Sequence, residues 1–194
     1  MERIRDPRIP PTSLSIQADT TNIVAGDVGV SFDVLLTNDG TSSFNIAAFV
    51  FGLSTTDPDI TFTDADVNTE VMPYIFSGDS FVQIEEGTPV ISLQLVSFPA
   101  LPAQILTASD VTNDATGIVV APGGTADLGR VLFDVASDPT SQTFTVSFID
   151  TTFQGQYLFN NFSDDDGNAS TSIISRARIS RFRLLCRSRR PPLC

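Results

Sequence analysis

The chain has 194 residues, 41% of them hydrophobic, enough for one domain with a real core and too few for two comfortable ones. There is no Lys; ten of the 11 Arg lie near the ends, and residues 13–175 hold 21 of the 23 acids against Arg130 alone, a formal charge of −20. Such a surface repels phosphate backbones, which argues against nucleic-acid binding by the core and for attraction to cations.

Residues 1–12 are charged and proline-rich, without the apolar stretch of a signal peptide, and read as a leader foreign to the patterned region. Residues 14–18 alternate apolar and polar as a first strand, and Ala25-Gly26-Asp27 is a turn. Residues 28–37 form a half-buried strand, with Val30, Phe32, Val34 and Leu36 on the buried face and Ser31, Asp33 and Thr37 on the other. After the break at Asn38-Asp39-Gly40, residues 44–54 are apolar on both faces, as expected of a central strand. Thr56-Asp57-Pro58-Asp59 then turns the chain into a short strand at 60–63 that ends in Asp64-Ala65-Asp66.

Residues 67–87 are irregular, with short strands suggested at 74–76 and 80–84, whereas 90–98 alternates clearly. Residues 101–114 have room for a short helical turn, and 119–124 read as a loop. The stretch 128–148 is the strongest pattern in the chain. Val131, Phe133 and Val135 share one face of a strand, Phe144, Val146 and Phe148 share one face of the next, and a polar loop containing Pro139 joins them. This predicts a hairpin with one apolar side, which needs a second layer to be stable in water. A Phe-rich segment at 153–162, a turn at 164–168 and a last strand at 170–174 come next. No run shows a sustained helical stripe. The expectation is an all-β fold, a two-sheet antiparallel β-sandwich of about nine strands in the jelly-roll or Ig-like manner. It would occupy residues 13–175, with residues 176–194 as a basic, disordered tail.

Three groups of residues carry a resemblance. They are Val24-Ala25-Gly26-Asp27 before the strand at 30–36, Ala48-Phe49-Val50-Phe51-Gly52-Leu53 followed by Asp57-Pro58 and Ile60-Thr61-Phe62, and Leu128-Gly129-Arg130-Val131-Leu132-Phe133-Asp134-Val135. Their order resembles the cohesin-like sandwiches related to cellulose-binding modules. Residues 57–66 with Pro73-Tyr74-Ile75-Phe76-Ser77-Gly78-Asp79-Ser80 are similar to exported bacterial proteins that carry a PEP-CTERM sorting signal. The resemblance implies a non-catalytic envelope or extracellular-matrix protein; the alternative is a binding module for polysaccharide or for a partner protein domain. In that group the sandwich is followed by Pro-Glu-Pro, an apolar helix and a basic end, and is sorted by an exosortase. Here residues 176–194 are Arg-rich instead. Ser175-Arg176-Ala177-Arg178-Ile179-Ser180 has codon choices that read Pro-Glu-Pro-Glu-Ser one base on, so a lost or shifted frame accounts for that tail.

Candidate chemistry is sparse. There is no His, Lys or Trp, and Cys186 and Cys194 sit in the tail, so Ser/His/Asp, Cys/His and Schiff-base arrangements are excluded and no enzyme is expected. Glu85 and Glu86 are adjacent and point to opposite faces of any strand. Asp164, Asp166 and Asn168 could supply oxygen ligands to calcium, although the EF-hand frame fails because Phe162 and Ile173 would fall at its first and last positions. A solvated acidic turn is the preferred reading, and the same holds for Asp57, Asp59, Asp64 and Asp66, so no cofactor is expected. A sugar platform would have to come from Tyr74, Tyr157 or the 15 Phe, most of which fall on core faces. Self-association and extracellular polysaccharide are the expected partner classes. No segment approaches the roughly 20 apolar residues of a membrane span.

Overall fold

The computed structural model describes residues 12–18, 23–81, 104–114, 116–140, 143–149, 152–153, 156–157, 160–166, 169–170 and 180–185. Alternating apolar residues organise the first sheet. β3 (Val30–Asn38) lies between β1 (Thr12–Ala18) and β9 (Thr125–Val135), and β9 pairs on its far edge with β6 (Ile60–Asp66), all antiparallel. Val30, Phe32, Val34 and Leu36 of β3 and Val131, Phe133 and Val135 of β9 are all buried, as their spacing predicts. The β6 strand runs past the expected stop at Thr63, through a register shift between Phe62 and Asp64.

The second sheet is built around β5 (Ala48–Thr55), which pairs with β7 (Gln104–Val111) along its whole length. Its other edge is shared by β10 (Thr143–Phe148) at Leu53 and Ser54 and by β13 (Asn161–Ser163) at Ala48 to Val50. Between them the Asn160 side chain bridges the gap: Gly52 N–H donates to Asn160 Oδ1 (3.2 Å), and Asn160 Nδ2 donates to the Ile149 carbonyl (2.7 Å). Asn160 takes a left-handed φ of 63° to do so, a conformation that Asn tolerates better than most residues. β5 is therefore central, as its apolar character predicts, but the run 44–54 is two strands, because Ala47 separates β5 from β4 (Phe44–Ile46). β4 pairs instead with β8 (Ile118–Val120), so part of the expected loop at 119–124 is strand.

The predicted hairpin is not one. β9 and β10 belong to different sheets, and the polar loop between them carries the chain across the sandwich. Their apolar faces meet across the interior, with the rings of Phe133 and Phe144 5.6 Å apart and edge to face. Each strand supplies the other's second layer, which satisfies the same burial requirement that a hairpin would leave to other strands. The helical turn allowed for at 101–114 is also replaced, by β7. There Leu106 and Ala108 point inward beside an inward acid, Asp110, and that acid hides the alternation.

Smaller segments complete the second sheet. β14 (Ala169–Ser170) pairs with β13 across the acidic turn, as the turn at 164–168 requires. β15 (Ser180–Leu185) runs antiparallel to β10 and parallel to β2 (Ile23–Val24). The 176–194 segment, expected to be disordered, thus contributes a strand. Its Arg181-Phe182-Arg183-Leu184 alternation has the period of a half-buried strand, which the arginine count masks. β11 (Thr152–Phe153) and β12 (Gln156–Tyr157) form a separate pair. The strand suggested at 74–76 reduces to a single bridge of Tyr74 with Asp127; of the one suggested at 80–84, Ser80 bridges Thr112, and residues 82–84 lie outside the described residues. The strand expected at 90–98 and Glu85 and Glu86 lie outside the described residues. No helix among the described residues is long and apolar enough to cross a membrane.

Candidate functional site

Strand alternation sends Phe49, Phe51 and Leu53 of β5 into the core and leaves Ala48, Val50, Gly52 and Ser54 on the outer face of the second sheet. In register beside them stand Val111 and Ser109 of β7, both exposed, Thr107, half-buried, and Ile105, which like Gly52 is buried. On the other edge stand Ser147 of β10, opposite Ser54, and Asn161 and Ser163 of β13, opposite Val50 and Ala48. None of these outward residues is charged, in a chain whose net charge is −12. Most of their side chains are short as well as uncharged. At one end it becomes apolar: Val111 is 38% exposed, and Phe81, 43% exposed, comes directly after the Ser80 to Thr112 bridge that sets it beside Val111.

The other face of the molecule is closed by a polar cluster that sequence reasoning missed. Asp33, placed on the solvent side of its strand, is 0% exposed. Its Oδ2 accepts hydrogen bonds from the backbone N–H groups of Glu70 and Val71, both 2.7 Å, so residues 67–73 are strapped over β3 and β9. Arg130 Nε donates to Asp33 Oδ1 (3.0 Å) and its Nη1 to Glu70 Oε1 (2.6 Å). Arg130 is conspicuous in the sequence as the lone base of residues 13–175; its job is to be the buried countercharge of Asp33. Asp127, also buried, accepts from Gly129 N–H through Oδ1 (3.0 Å), while its Oδ2 has no hydrogen-bond partner. Burial first, with the charge of Asp33 adding to it, pushes the Asp127 carboxyl up to about 8 against the opposing pull of the Gly129 amide and Arg130.

A second buried acid, Asp110, receives the hydroxyls of Tyr74 and Ser80 on one oxygen, Oδ2, each at 2.5 Å. Burial, then the hydrogen bond to Asp110 and its charge, raise the Tyr74 phenol well above its ordinary value. Tyr74 packs edge to face against Phe49 and Phe76 and is no sugar platform. Most of the Phe residues whose burial is described are in the core, and Phe81 is exposed.

The acidic turn gathers Asp164, Asp165 and Asp166, with carboxylate oxygens within 4.8 Å of one another. Asp164 Oδ1 accepts the Asp166 N–H (3.1 Å), and Asn45 Nδ2 donates to Asp165 Oδ2 (3.2 Å). Asn168 lies outside the described residues. The second group does not assemble, because Asp57 and Asp59 stand at the start of β6 and Asp64 and Asp66 at its end. Asp59 is instead bound by Thr140, through its N–H (2.6 Å) and hydroxyl (2.9 Å).

No protein-family model matches the sequence, and no curated protein matches it. Solved structures do. The seventh ScaB type I cohesin of Pseudobacteroides cellulosolvens superposes with a TM-score of 0.56 at 8% identity, covering 93% of this chain and 96% of that one. The OlpA cohesin of Clostridium thermocellum, solved as a type I cohesin–dockerin complex, gives 0.55 at 14% identity over 89% and 99%. A cohesin module from a Clostridium perfringens family 33 glycoside hydrolase gives 0.51 at 11% identity over 91% and 98%. The chain has a cohesin-like fold. At these identities the likeness is one of architecture, and any activity has to be argued from the surface itself.

Proposed function

We propose that this chain is a non-catalytic binding module that docks a partner protein domain on the outer face of its second sheet. The observation that carries this reading is the uncharged outer face of β5, β7, β10 and β13, exposed at Ser109 and Val111, in an otherwise strongly acidic chain. Interfaces are depleted of charge at their centre and polar at their rim. The short Ser, Thr, Ala and Val side chains lose little rotamer entropy when covered. The Phe81 and Val111 end supplies an apolar anchor of the kind that dominates binding energy. Polysaccharide is disfavoured by the burial of Tyr74. Dockerin complexes of cohesin-like neighbours support the choice of a protein partner, and they support an extracellular or cell-surface setting. The acidic turn at 164–166 is solvated surface in this reading, without a resident metal.

The test is capture of a discrete protein from the producing cell's extracellular matrix, followed by titration calorimetry with that protein. Thr107→Arg and Ser109→Arg should abolish binding, Thr61→Arg on the first sheet should leave it unchanged, and a glycan array should be silent. Binding to glycan alone, self-association alone, or indifference to the two face variants would refute the assignment. For the envelope setting, the nucleotide sequence after Ile174 should open a Pro-Glu-Pro frame leading into about 20 apolar codons; its absence would remove the sorting hypothesis.

A further inference from the structure

Among the described residues, the one guanidinium of Arg130 stands against two buried acids on the first sheet, Asp33 and Asp127, and the exposed Glu70. Arg130 reaches Asp33 and Glu70, and Asp127 lies beside Asp33 with a buried oxygen that accepts no hydrogen bond. A carboxylate oxygen in that position is costly when charged and useful when it carries a proton, because a protonated Asp127 can donate to Asp33. Asp33 in turn is the group that holds the strap, through the Glu70 and Val71 amides. We propose that residues 67–73 form a pH-sensitive latch on the outer face of the first sheet, closed while Asp127 holds a proton and loosened when it gives the proton up.

Each element packed against Asp127 offers a group that bears on this. β3 brings Asp33, and β9 itself brings Arg130. The strap brings Glu70, which already occupies Arg130. The segment after the strap brings Tyr74, whose phenol feels the charge of Asp127 and is tied to Asp110 of β7. β6 brings Asp66, opposite Arg130 in register. Only one of these groups is cationic, so ionisation of Asp127 leaves Arg130 shared among Asp33, Glu70 and a new buried charge. The strap is the element that can move, since a turn with Thr69 Oγ1 on the Met72 carbonyl and the amide bonds to Asp33 hold it, not a strand ladder. Lifting it admits water to both carboxylates. The Ile75 N–H bond to the Asp127 carbonyl sets the end of the hinge.

The experiment is hydrogen exchange and amide NMR on the full chain between pH 5.5 and 9.5, with the Asp127 carboxyl carbon followed in the same samples. The Glu70 and Val71 amides should shift with the midpoint of the Asp127 carboxyl, near its value of about 8. Their exchange should rise at least tenfold more than base catalysis alone gives, while the Phe51 amide of β5 follows base catalysis only. In Asp127→Asn, whose amide donates to Asp33 at every pH, the strap should stay closed at pH 9.5. Strap amides that track base catalysis alone, a strap midpoint different from that of the carboxyl, or the same opening in Asp127→Asn would each overturn the latch. Should the variant fail to fold, the two midpoints in the unmodified chain still decide it.

Discussion

Phe133→Ala tests the central correction to the predicted topology, namely that β9 and β10 meet face to face across the core. Phe133 is 0% exposed, with its ring centroid 5.8 Å from Phe32 on the neighbouring strand and 5.6 Å from Phe144 in the opposite sheet. Truncating a buried Phe costs about 3–5 kcal/mol in transfer and cavity terms. Each aromatic pair adds about 0.5–1.5 kcal/mol beyond its area, so the expected loss is at the upper end of that range. It would consume much of a total stability of about 5–15 kcal/mol. With an m-value of about 1–3 kcal/mol/M, the urea midpoint should fall by about 2 M. Val119→Ala, at a position 63% exposed, should shift stability by less than about 0.5 kcal/mol. A double-mutant cycle of Phe133→Leu with Phe144→Leu keeps both proteins folded and should return a coupling of about 0.5–1.5 kcal/mol. A coupling indistinguishable from zero, or a Phe133→Ala cost no greater than that of Val119→Ala, would refute the placement of these rings across the sandwich.

Three further outcomes are expected. Arg130→Met should cost about 3–5 kcal/mol, because it strands the buried Asp33 carboxylate without a cation; adding Asp33→Asn should recover part of that loss in the same urea titration. Asp127 is raised from an unfolded value near 3.9 to about 8 in the fold, so between those values the folded chain keeps a proton that the unfolded chain releases. Its contribution is complete below pH 4 and falls by up to about 1.4 kcal/mol per unit as pH rises to about 8, then levels off. Relative to Asp127→Asn, the unmodified chain should therefore lose stability across that window, and a constant difference between the two would contradict the burial of this acid. Millimolar calcium should raise the melting temperature no more than sodium chloride of equal ionic strength; a calcium-specific rise that Asp166→Ala removes would assign a metal to the turn at 164–166.

Alternation is written into each strand separately, which is why the inward faces were legible. Side chains two residues apart share a face whatever the strand pairs with, so Val30 to Leu36, Phe49 to Leu53 and Phe144 to Phe148 declared their buried sides without any knowledge of neighbours. Turns were legible for the same local reason: Gly26, with φ of 83°, and Asn38, whose side chain donates to the Ser42 carbonyl and accepts from the Gly40 N–H, shape the chain within or close to their own segments. The neutral outer face was half legible, since the outward residues of each strand were known but not that β5, β7, β10 and β13 lie side by side. Pairing joins residues far apart in the chain, such as Ser54 with Ser147 or Val34 with Gly129, and the apolar face of β9 would be equally well buried by a hairpin partner or by an opposite sheet. Only the tertiary structure chose between them. It also decided the polar cluster, because whether Asp33 meets water depends on a strap 37 residues further on, and a carboxylate one position from a buried face looks the same in sequence whether it is solvated or enclosed.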